Sequence, residues 1–281
     1  MNDMSLKAKI RNIAKEKNIS AQAVLQSYLM SRFLYRLSQT EYKEKFVIKG
    51  GLLIASIVGI EHRSTMDLDT TLRNLPLAES AIREAFESVC RVQIDDGITF
   101  SYDSIVPIRD DDEYGGYRVS FTAKFGKINA SMSMDVSTGD VITPGAAKHI
   151  FSDILEDDLA FELWSYPIET VLAEKIETIL SRGVDNTRPR DFYDVYMLSA
   201  LNYDSKILRE AFIATASHRE SLEKISDTEG IIRLISESPE MNRRWENYVR
   251  QMPYAKDIAF SDTISAVCNV IGQISKFEEI R

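Results

Sequence analysis

Three stretches in the first half of the chain alternate between apolar and polar residues. They cover residues 100–105, 117–123 and 128–136. A period of two is typical of half-buried β-strands, because successive side chains on a strand point to opposite faces of the sheet. The pattern therefore predicts a β-sheet in the N-terminal half.

The regions on both sides of these strands have the helical period instead. Residues 1–40 repeat apolar side chains every three or four positions, residues 52–60 are apolar nearly all round, and residues 77–92 are amphipathic. From about residue 144 the strand signal fades, and residues 168–180, 191–201 and 207–219 predict helices. We expect an α+β domain over residues 1–150, followed by a helical domain over residues 151–281.

Composition narrows the class of protein. The 281 residues are 44% apolar and 27% charged, as in ordinary globular proteins, and no run of 18 apolar residues predicts a membrane span. Cys90 and Cys268 are too few for a disulfide framework, so we expect a cytoplasmic protein. The net charge of −9 argues against a protein that coats nucleic acid, although it leaves open an enzyme that acts on one nucleic-acid end. An acidic run at residues 110–113 is interpreted as a solvated loop.

A pair of carboxylates is the first candidate for a functional site. Asp67 and Asp69 are two positions apart, so on a strand they point to the same side and repel each other unless a cation lies between them. Mg²⁺ prefers one or two carboxylates together with phosphate oxygens. An isolated pair of this kind is more often the acidic end of a surface strand, so its neighbours decide the interpretation.

Three neighbouring features favour a phosphate and metal site. Gly50 and Gly51 precede an apolar helix, where glycine lets the backbone approach a phosphate and the helix N-terminus supplies N–H donors. Asp135 lies near the end of an alternating strand and offers a third carboxylate. Cationic and hydroxyl side chains for a triphosphate come just before the pair: Arg63, Ser64 and Thr65.

These motifs resemble those of a known family, the AbiEii-type nucleotidyltransferase toxins. Residues 49–53, Lys-Gly-Gly-Leu-Leu, and residues 62–69, His-Arg-Ser-Thr-Met-Asp-Leu-Asp, are similar to its first motif, with Leu52 in place of the common threonine. Asp135 fits the second motif, and Lys175 in Ala-Glu-Lys-Ile fits the third. Residues 190–196, Arg-Asp-Phe-Tyr-Asp-Val-Tyr, resemble the fourth.

The resemblance implies a DNA-polymerase-β-like core, a mixed sheet with helices, followed by a helical C-terminal domain. It implies that Mg²⁺ or Mn²⁺ is bound by Asp67, Asp69 and Asp135. It implies that the catalytic residues are these three carboxylates together with Lys175 and Asp191. The nucleoside triphosphate would be held by the remaining motif residues, namely Lys49, Gly50, Gly51, Arg63, Ser64, Thr65, Arg182 and Asp194.

The residues of the third and fourth motifs also have plain structural interpretations. Lys175 lies at the edge of the apolar stripe of its helix, so its ammonium group either reaches past the stripe to solvent or enters a cleft. Asp191 lies near a helix N-terminus that Pro189 opens, where a negative charge is favourable in itself. Its functional alternatives are to orient Lys175 or to act as a general base.

The resemblance implies a function and partners as well. The protein would transfer nucleotides from a nucleoside triphosphate to a tRNA 3′ end and so block translation, as the toxin of a bacterial toxin–antitoxin or phage-defence system. A cognate antitoxin is implied, whether or not it contacts the toxin directly. Two alternatives stay open: transfer to a protein or small-molecule hydroxyl, and a non-enzymatic module that binds nucleotides or the antitoxin.

Overall fold

The computed structural model describes residues 3–108, 115–156 and 158–275. The acidic run at residues 110–113 lies outside the described residues. The chain forms two compact units. The first comprises Met1–Asp140 and Ala147–Ser165, and the second comprises Val141–Ala146 and Tyr166–Arg281.

The first unit contains a seven-stranded sheet with four α-helices in its described part. The helices are α1 (Asp3–Glu16), α2 (Ala21–Ser38), α3 (Gly50–Val58) and α4 (Glu79–Arg91). The strands are β1 (Phe46–Lys49), β2 (Leu68–Leu72), β3 (Thr99–Ile108), β4 (Gly116–Phe125), β5 (Ile128–Thr138), β6 (Ala147–Ser152) and β7 (Ala160–Ser165).

The sheet is mixed, with the strand order β3-β4-β5-β2-β1-β7-β6. The pairs β2–β5 and β1–β7 are parallel, and the other neighbours are antiparallel. Phe33 of α2 stacks on Phe121 of β4 at 4.3 Å between ring centroids and contacts Phe86 of α4 at 5.6 Å. These fully buried rings anchor the helices to the sheet.

The second unit is helical. Its α-helices are α5 (Ile168–Arg182), α6 (Pro189–Ser199), α7 (Ser205–His218), α8 (Thr228–Glu237), α9 (Pro239–Gln251) and α10 (Phe260–Ser275). The apolar stripe predicted for α5 is buried at Leu172, Ile176 and Ile179. Pro189 begins α6, as predicted, because the first helical position needs no N–H donor. Together the two units confirm the predicted α+β class with a mixed sheet and a helical C-terminal part.

The sequence analysis missed β6 and β7. The strand signal was expected to fade near residue 144, yet both strands belong to the first unit, and the predicted boundary at residue 150 falls inside β6. The physical reason is that β6 is an edge strand whose only buried residue is Phe151. A strand that buries so little has no clear alternation. Within the described residues, no helix is both long enough and apolar enough to cross a bilayer.

Candidate active site

Two glycines bring the first turn of α3 against the predicted carboxylate site. Gly50 has a φ of +67°, and a Cβ atom there would lie 2.0 Å from Oδ2 of Asp69. The backbone N–H of Gly51 donates to Asp69, and a Cβ atom on Gly51 would lie 2.8 Å from Oγ1 of Thr65. Because side chains at these positions would collide with Asp69 and Thr65, the close approach depends on glycine.

Four charged residues stand in register across four neighbouring strands. Lys49 of β1 pairs with Asp69 of β2, Asp69 pairs with Asp135 of β5, and Asp135 pairs with Arg118 of β4. We call these four residues the charged row. Residues directly opposite each other on adjacent strands present their side chains on the same face, about 5 Å apart. The order cation, anion, anion, cation therefore leaves two carboxylates adjacent at the centre of the row.

The electrostatics of Asp69 reflect this crowding. Burial raises the pKa of its carboxyl above the ordinary value, and the negative charges of Asp135 and Asp67 raise it further, while Lys49 acts in the opposite direction. Asp67 differs from the prediction in one respect. Strand β2 begins at Leu68, so Asp67 precedes the strand; it is exposed, and its N–H donates to Thr65 Oγ1 at 3.2 Å.

Arg118 was not predicted as a site residue. Its guanidinium group donates to both oxygens of Asp135, with Nε–Oδ1 and Nη2–Oδ2 distances of 2.7 Å each. The positive charge of Arg118 is stabilised by Asp135 first and also by Asp67 and Asp69, and these interactions raise its pKa. No sequence signal marks Arg118, because it is one polar residue on an alternating strand. Only the register of β4 against β5 places it beside Asp135.

The predicted metal ligands have the right donor chemistry, since carboxylate oxygens are what Mg²⁺ and Mn²⁺ bind. Asp69 and Asp135 are in register, and the charge of Asp67 acts on Asp69. As the side chains stand in the described part of the chain, no three His, Cys, Asp or Glu residues are grouped to hold a metal ion. Both oxygens of Asp135 face Arg118 instead.

Several predicted nucleotide-binding residues lie around the same helix end. The ammonium group of Lys49 donates to Ser137 Oγ at 2.9 Å and to Asp140 Oδ2 at 2.6 Å, two partners that the sequence analysis did not single out. Arg63 is buried, and its Nη2 atom is 3.3 Å from where a Cβ atom of Gly51 would lie. Ser64 is half-buried, and its carbonyl oxygen accepts a hydrogen bond from Arg63.

The remaining predicted residues lie in the second unit. Lys175 of α5 contacts Asp191 Oδ1 at 2.5 Å and Asp194 Oδ2 at 3.0 Å, both on α6. We call these three residues the buried cluster, since Asp191 is 3% exposed and Asp194 is fully buried. Arg182 lies in the last turn of α5, about 10 Å along the helix axis from Lys175.

Charge pairing outweighs burial in this cluster. Burial by itself disfavours the ammonium form of Lys175, but the charges and hydrogen bonds of Asp194 and Asp191 raise its pKa above the ordinary value. Lys175 is therefore protonated at neutral pH. Oδ2 of Asp191 is buried without a hydrogen-bond partner among the described residues, so this oxygen is an acceptor whose hydrogen-bonding capacity is unused.

A helix N-terminus opened by glycines, beside carboxylates in register, suits a nucleoside triphosphate bound with a metal ion, the substrate form used by nucleotidyltransferases. A family model described as the nucleotidyl transferase AbiEii toxin of type IV toxin–antitoxin systems matches residues 32–266. The chain belongs to this family. The family description implies a nucleotide substrate and an antitoxin partner.

A search of solved structures also found matches of low sequence identity. The crystal structure of JHP933 from Helicobacter pylori is 17% identical, with a TM-score of 0.49, and the match covers 92% of this chain and 94% of that one. An antigenic nucleotidyltransferase-like protein from Paracoccidioides brasiliensis is 13% identical, with a TM-score of 0.38, and the match covers 79% and 84% of the two chains. A search of curated proteins found no match.

Proposed function

We propose that the protein uses Mg²⁺ or Mn²⁺ to transfer a nucleotide from a nucleoside triphosphate to the 3′ end of a tRNA, and so blocks translation when its antitoxin is absent. The observation that carries the proposal is the placement of Asp69 and Asp135 in register beside the glycine-opened end of α3. Membership of the AbiEii family supports transfer chemistry, and the tRNA acceptor is inferred from the motif resemblance.

In the first unit, we assign Asp67, Asp69 and Asp135 to the metal ions. A bound divalent cation would lower the charge on the triphosphate and stabilise the leaving pyrophosphate. The N–H groups of the first turn of α3 favour phosphate oxygens through their direction and through the helix dipole. Thr65 Oγ1 and the guanidinium of Arg63, both beside Gly51, add a hydroxyl donor and a positive charge there.

In the second unit, we assign to Lys175 the role of neutralising phosphate charge, because pairing with two carboxylates keeps its ammonium group protonated. Asp191 and Asp194 fix the position of that group. The unused oxygen of Asp191 is the candidate acceptor for a proton or a hydroxyl group.

The test compares the wild type with Asp69→Asn in bacteria that lack the antitoxin, followed by sequencing of tRNA 3′ ends. Asparagine keeps an oxygen for the Gly51 N–H but removes the charge. We expect the wild type to stop growth and to extend or block tRNA 3′ ends. We expect Asp69→Asn to reduce the modification at least about a hundredfold. Asp95→Asn, which removes an exposed charge in the same unit, is the matched control and should behave as wild type.

A second experiment incubates the purified protein with each labelled nucleoside triphosphate, bulk tRNA and cell protein. Label in tRNA supports the proposal and identifies the nucleotide, whereas label in protein alone overturns the tRNA acceptor. Growth arrest that survives both Asp67→Asn and Asp69→Asn would overturn the enzymatic proposal and favour a binding module.

A further inference from the structure

The charged row contains a cation that the proposed reaction does not use. Arg118 is bound through two hydrogen bonds of 2.7 Å to the two oxygens of Asp135, so it covers the edge through which a carboxylate binds a metal ion. Its side chain is 52% exposed, and that of Asp135 is 27% exposed. Because the pair is partly exposed, water can solvate both groups when it opens, and this lowers the free-energy cost of opening below that of a buried pair.

Lys49, the cation at the other end of the row, is held differently. Its ammonium group is bound by Asp140 and Ser137 and is about one-fifth exposed, so partners outside the row fix its position. Arg118 is anchored within the row through Asp135, a predicted metal ligand. The two cations therefore differ in whether their hydrogen bonds to a predicted metal ligand must break before a divalent ion can bind. Arg118 has to release Asp135 before that carboxylate can bind an ion.

We propose that Arg118 is a built-in competitor of the divalent cation: it occupies Asp135 in the metal-free protein and must leave that carboxylate before a metal ion can bind there. This inference rests on the proposed function, because it takes Asp69 and Asp135 as metal ligands. The positive charge of Arg118 lowers the net negative charge beside Asp69 while Arg118 is bound to Asp135, and it lowers the affinity for the metal in return. A ligand that draws Arg118 away would raise that affinity, and the triphosphate of the substrate has the required negative charge.

The experiment measures Mn²⁺ binding to the full chain without nucleotide, from the loss of the free-ion signal in electron paramagnetic resonance. Arg118→Met should tighten the Mn²⁺ dissociation constant about three- to tenfold, the range expected for losing one exposed bidentate pair. Arg118→Lys keeps the charge but lacks the planar two-pronged donor, so its affinity should fall between those of the wild type and Arg118→Met. Arg83→Met removes an exposed arginine of α4 that pairs with Glu79 of its own helix and with Tyr102, and it should leave the affinity unchanged.

The outcomes separate the two proposals. If the wild type binds Mn²⁺ in a manner that depends on Asp69 and Arg118→Met binds it no more tightly, the competitor role is overturned while the metal site stands. If Arg118→Lys binds Mn²⁺ as tightly as the wild type does, positive charge alone accounts for the effect. If Arg118→Met and Arg83→Met increase the affinity equally, net charge accounts for it. Either result would also overturn the competitor role. If neither the wild type nor Arg118→Met binds Mn²⁺, the metal site of the proposed function fails as well.

Discussion

The charged row of the first unit and the buried cluster of the second each contain two carboxylates at close range. They differ in where the cations that compensate the negative charge are placed. In the buried cluster one cation, Lys175, lies between the two carboxylates, and both are almost completely removed from solvent. In the charged row the two carboxylates are neighbours and the cations stand outside them, with Arg118 half exposed.

This difference in solvent exposure determines at which of the two sites the counter-ion of the carboxylates can be exchanged. A buried carboxylate without its cation is costly, since the surrounding protein cannot replace water as a solvent for the charge. The buried cluster must therefore keep Lys175. The charged row is open enough for water and ions to take the place of Arg118, so its counter-ion can be exchanged.

Replacing Lys175 with methionine should give the largest loss of stability. The substitution leaves Asp191 and Asp194 buried beside each other without their cation, and we expect it to lower the free energy of unfolding by about 3–5 kcal/mol. Urea unfolding followed by circular dichroism measures this. Lys206→Met, at an exposed position of α7, is the control and should unfold as the wild type does. A loss below about 1 kcal/mol for Lys175→Met would show that the cluster is not held by charge pairing.

Replacing Gly50 with alanine should come next. The positive φ costs about 1–2 kcal/mol for any residue with a Cβ atom, and the collision with Asp69 adds about 1–3 kcal/mol. Gly183→Ala is a control for a positive φ without a collision, because Gly183 has a φ of +53° and a ψ of −133° but open space where the Cβ atom would lie. A larger loss of unfolding free energy in Gly50→Ala than in Gly183→Ala would support the contact with Asp69. Equal losses would contradict the close approach of α3 to the carboxylate.

Replacing Asp135 with asparagine should barely affect stability. Its pair with Arg118 is partly exposed, so the free energy of unfolding should fall by less than about 1 kcal/mol. The corresponding change in the buried cluster, Asp194→Asn, should cost about 3 kcal/mol, because it removes one of the two anions that compensate the charge of Lys175. Thermal or urea unfolding of both variants tests the contrast directly. Similar losses in the two variants would remove the distinction between the sites.

The smallest expected effect is a dependence of stability on pH that comes from Asp69. Because burial raises the pKa of this carboxyl in the folded protein, the folded state binds its proton more tightly than the unfolded state does. Ionisation of Asp69 therefore destabilises the metal-free protein as the pH rises from the ordinary range of a carboxyl through the raised pKa. In the presence of a chelator, Asp69→Asn should be slightly more stable than the wild type at neutral pH, and this advantage should disappear near pH 3. A variant that is less stable at neutral pH would contradict the assignment.

Much of the local structure was predictable because it follows from short-range periods and backbone rules. The alternation in residues 117–123 and 128–136 predicted β4 and β5, and the helical period predicted α3, α4 and α5 with small errors at their ends. Pro189 begins α6, as expected from the conformation that proline favours, and Gly59 is the residue that follows α3. The candidate carboxylates Asp67, Asp69 and Asp135 were also chosen from residue type and spacing, whereas Lys175 was chosen from the motif resemblance.

Other features depend on which distant segments pair. Strand β7 pairs with β1 and β6 pairs with β7, which joins both strands to the first unit. Strand β6 buries only Phe151, and β7 alternates over only six residues. Arg118 and Asp140 are ordinary polar residues in the sequence. They become part of the site only because β4 lies beside β5 and because Asp140 approaches Lys49.

The sequence by itself determined the α+β class, the helical C-terminal part, the glycine-opened helix and the carboxylates available for chemistry. Each of these follows from the period of the side chains, from the backbone freedom of single residues, or from residue type. The order of charges in the row and the pairing with Asp191 and Asp194 that keeps Lys175 charged in spite of its burial depend on the tertiary structure. Sheet register and burial are set by pairing between remote segments, and those pairings determine which charges lie side by side and how well water screens them.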